Sequence, residues 1–162
     1  MLKKSPLIQL MSEPLPNKTY QRRLEFRPSL DQVIDTYDIL NQHIFDNKLI
    51  RPPITLKQTR KCWGYCSGSI EFNETTQSYC TIGLSNKWFC QQWMISILAH
   101  EMAHQFQWDY LGPIRAESGK DFLMTHGPSF FLYKKKMAEH NISLKVSFSK
   151  RKWFEHQDFF KA

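Results

Sequence analysis

The stretch that decides the fold runs from residue 85 to residue 113 and reads SNKWFCQQWMISILAHEMAHQFQWDYLGP. Residues 85–111 contain neither Gly nor Pro, and apolar side chains recur around most of the helical wheel. A helix that is apolar on nearly every side belongs in a protein interior. We therefore expect a buried helix that is capped by Ser85 or Asn86 and stops at Gly112, just before Pro113.

Two histidines and a glutamate lie within this helix, in the order His100, Glu101 and His104. Side chains at positions i and i+4 share one helix face, so both imidazoles can reach a single metal ion. Neutral imidazoles suit zinc, and the neighbouring carboxylate is placed to take a proton from water at the metal. The spacing predicts a catalytic Zn²⁺ site and a peptide-bond hydrolase, with Glu101 as general base. A pair of hydrogen-bonded core histidines beside a surface glutamate is the alternative.

A catalytic zinc site of this kind needs a third protein ligand. The acidic candidates are Glu117 and Asp121, and the histidine candidates are His126, His140 and His156. His126 is preferred, because the Gly and Pro that follow it allow a tight turn and then the start of a helix. A set of three histidines also needs no further charge balance in a buried pocket. The extended metzincin motif is excluded, since Gln and Tyr stand where it requires Gly and His.

The segment from His100 to His104, together with the later His-Gly-Pro-Ser-Phe of residues 126–130, resembles the SprT-like metallopeptidases, which include Spartan-type members. Residues 37–54, 63–66 and 82–85 resemble other segments of that family. The resemblance implies a zinc-dependent peptidase domain with His100, His104 and His126 as ligands and Glu101 as general base. It also implies protein substrates that are bound or crosslinked to DNA. The paired Cys-x-x-Cys motifs of the zinc ribbon common in bacterial members do not occur in this sequence.

The order of the predicted elements is that of an α+β domain. A capping box at Ser29 and Gln32 begins a helix that ends near Asn47. Strands are expected at residues 54–58, 62–66, 69–73 and 78–84, followed by the HExxH helix, a helix over 128–140 and a strand over 142–148. These elements predict a zincin-like minimal metallopeptidase, with a small antiparallel-rich sheet packed on three main helices and HExxH on the central one.

Three regions of the chain are expected. Residues 1–28 form a basic, Pro-containing N-terminal arm, residues 29–148 form the peptidase domain, and residues 149–162 form a basic and aromatic tail. Within the domain, we expect the strand over 79–84 to be the sheet edge that pairs with an extended substrate.

The net charge of +7 is unevenly distributed along the chain. Residues 1–28, residues 51–61 and the part after Ser129 hold 18 of the 22 basic residues, a clustering that suits a phosphate backbone. Together with the family resemblance, this favours DNA as partner, single-stranded DNA in particular because Trp153 and Phe154 could stack on bases. A solvated basic surface is the alternative. The candidate contacts are Arg60, Lys61, Lys134, Lys135, Lys150, Arg151 and Lys152.

The four cysteines, at positions 62, 66, 80 and 90, lack the spacing of a metal site, and we expect ordinary thiols in a reducing compartment; a second zinc site built from the four is the alternative. The sequence shows neither an apolar stretch of membrane-spanning length nor a convincing signal peptide. We expect a monomer in the cytoplasm or associated with the nucleoid or nucleus.

Three functions stay open on the sequence alone. The first is a DNA-associated zinc endopeptidase, and the second is a zinc peptidase that acts on soluble proteins without DNA. The third is a non-catalytic, basic DNA-binding or adaptor module whose zinc is structural. A closed site with four protein ligands would favour the third, and the sequence offers no convincing fourth ligand.

Overall fold

The computed structural model describes residues 5–13, 24, 26–58, 62–112 and 126–146. These residues form an α+β fold, as predicted, in which helices pack on a small mixed sheet. The elements in chain order are α1 (Pro6–Met11), α2 (Leu30–His43), β1 (Ile54–Leu56), β2 (Gly64–Asn73), β3 (Ser78–Leu84), α3 (Gln91–Phe106), a π-helix (Gln107–Leu111) and α4 (Lys134–Glu139).

Helix α2 begins at the predicted capping box. The Ser29 hydroxyl accepts from the Gln32 amide N–H at 3.1 Å, and the Gln32 side chain accepts from the Ser29 N–H at 2.8 Å. After the helix the chain reverses through Asp46 and Asn47, whose φ angles of 54° and 58° lie in the left-handed region. The α2 face buries Val33, Tyr37 and Leu40 completely, so the helix is held by its apolar stripe.

The sheet has the order β1-β3-β2, with β1 parallel and β2 antiparallel to β3. The two strands predicted at 62–66 and 69–73 are one long strand, because the chain crosses Ser67 and Gly68 in extended form. The prediction that residues 79–84 form the sheet edge is wrong. Strand β3 pairs on both sides and is central, whereas β2 lies at an edge of the sheet that the described residues form.

Strand β2 packs directly on the π-helix at Gly68. A Cβ added to Gly68 would lie 2.0 Å from Cε2 of the Trp108 indole, so glycine permits this close approach. The edge strand is thereby fixed against the end of the central helix.

Helix α3 begins at Gln91, later in the chain than Ser85 and Asn86, the predicted caps. The backbone of Trp88 pairs with that of Phe26 through bonds of 2.9 and 3.0 Å, and the Trp88 indole N–H donates to the Ser85 carbonyl at 2.7 Å. These bonds hold the segment outside the helix until Gln91. From there the prediction is confirmed, since residues 92–106 are all buried and Gly112, with φ 78°, ends the helical structure.

The C-terminal part of the described chain differs from expectation. In the region predicted as an N-terminal arm, Leu7 and Met11 of α1 are buried in the core. Residues 128–133 form turns, and only Lys134–Glu139 of the predicted helix is α-helical. The prediction of a strand at 142–148 is wrong for residues 142–146, where Ile142 and Leu144 fill the core from irregular chain; residues 147 and 148 lie outside the described residues.

Candidate metal centre

Three histidines come together at the centre of the fold. His100 and His104 lie one turn apart on α3, and His126 approaches them from the chain that precedes the turns before α4. The potential ligand atoms of these three residues all lie within 4.8 Å of one another. Their arrangement could therefore hold one metal ion.

The other candidates for a third ligand lie elsewhere. His140 faces His43, with ring centroids 6.1 Å apart, and its Nδ1 lies 2.9 Å from the Lys136 carbonyl oxygen. Glu117, Asp121 and His156 lie outside the described residues. Within the described part of the chain, the three-histidine group is the one set of three or more potential ligands.

Hydrogen bonds fix the orientation of the two helix histidines. The His100 Nδ1 lies 2.8 Å from the Lys145 carbonyl oxygen, and the His104 Nδ1 lies 2.8 Å from Oε1 of Gln107. Both oxygens only accept, so each Nδ1 carries the proton and each Nε2 keeps its lone pair. Partners of this kind set the tautomer of metal-ligating histidines.

The third histidine shows that a metal fits this pocket. The Nε2 atom of His126 is buried and has no hydrogen-bond partner among the described residues. A buried polar atom without a partner costs free energy, and a metal ion at the meeting point of the three rings would remove that cost. Burial lowers the pKa of His100 to about 3 and that of His104 to about 4, so both rings are in the neutral form that ligates metals.

An aromatic ring lies under all three imidazoles. The Phe130 side chain is completely buried, and its ring centroid lies 4.8, 4.6 and 4.7 Å from those of His100, His104 and His126. The predicted His-Gly-Pro-Ser-Phe segment therefore supplies both a candidate ligand and the apolar floor of the site.

Glu101 follows His100 on α3, and its side chain is almost fully shielded from solvent. It is 6% exposed, and burial raises the pKa of its carboxyl to about 8, against the opposing effect of a hydrogen bond from the Cys66 backbone amide. The Ser85 N–H donates to the Trp63 carbonyl at 2.8 Å, so the backbone groups of Trp63 point toward β3. Because successive residues of a strand point in alternate directions, the Cys66 N–H, three residues later, points away from β3. The open edge of β2 thus faces Glu101.

A second buried polar network joins α2, α3 and β3. The Tyr37 hydroxyl donates to Oε1 of Gln105 at 2.7 Å, and Nε2 of Gln105 donates to the Ile50 carbonyl and to Asp109. Asp109 also accepts from the Tyr79 backbone N–H at 2.8 Å. Sequence reasoning missed these residues, although Gln and Asp at interior positions of an apolar helix are a usable signal.

The structure describes only part of the predicted DNA-contact set. Lys134 and Lys135 are exposed on α4, whereas Arg60, Lys61, Lys150, Arg151 and Lys152 lie outside the described residues. Among the cysteines, Cys62 is exposed and the other three are buried. None of the described helices is both long and apolar enough to cross a membrane.

The three-histidine pocket could hold a metal ion, and the family match places it in a metallopeptidase-like domain. The model of the SprT-like family matches residues 33–150, which is most of the chain. The chain belongs to the SprT-like family. A search of curated proteins found no match to it.

Proposed function

We propose that this protein is a zinc-dependent endopeptidase of the SprT-like type that acts on DNA-bound or DNA-crosslinked proteins. The observation that carries the proposal is the convergence of His100, His104 and His126 next to the buried carboxyl of Glu101. Three neutral imidazoles suit zinc and leave one coordination position for water or substrate.

The chemistry divides between the metal and the chain. When bound, zinc supplies a Lewis acid that polarises a peptide carbonyl and makes water acidic enough to lose a proton near neutral pH. Glu101 accepts that proton and returns it to the amine of the leaving segment. Its pKa of about 8 belongs to the metal-free pocket, and a nearby dication favours the carboxylate that a general base requires.

The open edge of β2 is the proposed substrate platform. An extended peptide pairs with an exposed strand through main-chain hydrogen bonds, which do not depend on sequence. Strand β2 runs past Glu101 at Cys66, so a peptide paired along it brings its backbone to the pocket. This replaces the expectation, made from sequence, that β3 is the docking strand.

Support for DNA association comes from charge. The chain carries a net charge of +7, and Lys134 and Lys135 are exposed on the helix that follows the His126 segment. Clustered lysines gain affinity for DNA because neutralised phosphates release counterions. DNA binding would bring crosslinked proteins to the pocket.

The test combines zinc analysis with a proteolysis assay, run with and without single-stranded DNA. We expect bound zinc, cleavage that DNA stimulates, and a stimulation that weakens between about 50 and 200 mM salt. Glu101→Gln should keep zinc and lose cleavage, with Glu139→Gln, an exposed residue, as the matched control. Cleavage that persists in the Glu101→Gln variant would remove Glu101 from this role.

The alternatives give different outcomes in the same assay. Cleavage with no response to DNA would favour a peptidase that acts on soluble proteins. Bound zinc and tight DNA binding without hydrolysis under any condition would favour a structural zinc in an adaptor module. Lys134→Gln/Lys135→Gln should weaken DNA binding and lower the salt slope by roughly 1 per lysine, whereas Lys48→Gln/Lys87→Gln, outside the three basic segments, should not.

A further inference from the structure

The side-chain amide of Gln107 contacts two parts of the metal pocket at once. Gln107 is the first residue of the π-helix and is 2% exposed. Its Oε1 lies 2.8 Å from Nδ1 of His104, and its Nε2 lies 2.8 Å from the Ser129 hydroxyl oxygen. Ser129 follows His126 by three residues, so one amide connects α3 to the segment that carries the third histidine.

The chemistry of the amide determines which group donates and which accepts in each of these two hydrogen bonds. The amide oxygen only accepts, so it selects the His104 tautomer with the proton on Nδ1 and the lone pair on Nε2. The amide nitrogen only donates, so it holds the Ser129 oxygen. The bond to His104 is buried and the bond to Ser129 is partly buried, so a lost partner is costly, most of all at His104.

Contacts on the far side of the π-helix hold Gln107 in place. Trp108 packs on Gly68 of β2, and Asp109 accepts from the Tyr79 amide of β3 at 2.8 Å. The sheet therefore fixes this helical turn through contacts between protein groups. Insertions of π-helix into α-helices often occur at functional sites, where they redirect a side chain.

We propose that Gln107 is a positioning residue of the metal centre, which sets the His104 tautomer and keeps the His126 segment beside α3. The inference rests on the metal binding in the proposed function and is independent of peptidase activity. Gln105, two residues earlier in the last turn of α3, offers a matched control. It is also fully buried, but it bonds to Tyr37 and Asp109 rather than to a histidine of the pocket.

The first experiment measures the zinc dissociation constant of the full chain by competition with a chelator. Gln107→Leu should weaken zinc binding about 10- to 100-fold, the usual cost of losing an outer partner of a ligand. Ser129→Ala removes the bond from Gln107 to Ser129, leaves the bond to His104, and should cost on the order of 2- to 10-fold. Gln107→Glu should stay within a few-fold of wild type, because a carboxylate accepts from both His104 and the Ser129 hydroxyl.

Two further readouts separate positioning from a general loss of stability. The visible spectrum of the Co²⁺-substituted protein should change in Gln107→Leu and stay unchanged in Gln105→Leu. In the metal-free wild type, imidazole ¹⁵N NMR should show His104 with its proton on Nδ1, and Gln107→Leu should lose this preference.

Three results would overturn the inference. The first is wild-type zinc affinity and an unchanged Co²⁺ spectrum in Gln107→Leu, and the second is an equal loss of affinity in Gln105→Leu. The third is a His104 proton on Nε2 in the metal-free wild type, and this measurement does not depend on whether any variant folds. Absence of zinc binding in the wild type would instead reject the proposed function and, with it, the metal-positioning role; absence of cleavage alone would leave the inference standing.

Discussion

The rings of His126 and Phe130 meet edge to face, with centroids 4.7 Å apart and planes at 90°. The same phenyl ring lies equally close to His100 and His104, so one apolar side chain supports the whole imidazole group. Edge-to-face aromatic contacts add to the gain from burial. The floor of the site is therefore part of the core.

Phe130→Ala should destabilise the protein and weaken zinc binding together. Removal of a fully buried phenyl ring costs about 3–5 kcal/mol, and here the cavity lies under the three imidazoles. Urea unfolding of the metal-free protein and chelator competition measure the two effects. Phe45→Ala is the control, because Phe45 is equally buried but packs on Tyr133. Equal zinc affinity in both variants would show that the floor does not organise the site.

Tyr37→Phe should destabilise the protein without changing zinc affinity. Burial raises the pKa of the Tyr37 hydroxyl, which donates to Oε1 of Gln105. Its loss leaves a buried amide oxygen without that donor, at a cost of about 1–3 kcal/mol. Tyr110→Phe, at a position that is 51% exposed, should change the free energy of unfolding by less than about 0.5 kcal/mol. Similar values for both variants in urea unfolding would contradict the importance of the network.

Gly68→Ala should lower the free energy of unfolding by about 1–3 kcal/mol, since the new methyl group would overlap the Trp108 indole. The cost should shrink when Trp108 is replaced by Leu. A double-mutant cycle with Gly68→Ala and Trp108→Leu measures this coupling. Strictly additive effects would mean that the contact between β2 and the π-helix does not cause the penalty.

The metal-free protein should be most stable near pH 6.5. The pKa values of His100 and His104 fall from 6.5 to about 3 and 4, so the unfolded chain binds more protons below pH 6.5 and stability falls with acid. The pKa of Glu101 rises from 4.5 to about 8, so the folded state binds more protons between these values and stability falls as pH rises. Between pH 4.5 and 6.5 the two histidines outweigh the one glutamate.

Urea unfolding from about pH 4 to pH 9 tests this expectation, since the slope of stability against pH reports the protons bound in each state. Glu101→Gln should remove the decline between pH 6.5 and 8, whereas Glu139→Gln should keep it. A wild-type stability that climbs steadily from pH 6.5 to 8 would be inconsistent with a protonated Glu101 in the metal-free pocket.

The sequence was sufficient for the elements whose signal is local. The capping box at Ser29 places the start of α2, and the uninterrupted apolar pattern places His100, Glu101 and His104 on a buried helix. The structure brings His126, rather than His140, close to His100 and His104.

Features that depend on distant contacts were not predictable. The late start of α3 comes from pairing of Trp88 with Phe26, which is far away along the chain. Alternation at Ile142 and Leu144 resembles a strand, yet these residues fill the core without a strand partner among the described residues. The sequence of a strand does not show which strands lie on either side of it in the sheet. The central position of β3 therefore could not be predicted from its place just before the helix.

The carbonyl of Lys145 and the amide of Gln107 orient two imidazoles through hydrogen bonds that protein groups alone form. The conformational entropy of the pocket side chains is therefore lost during folding, and little more of it is lost when zinc binds. Such a protein differs from a zinc finger, which collapses only around its ion. We expect chelators to extract the proposed zinc and to leave a folded apoprotein that binds the metal again when zinc is resupplied.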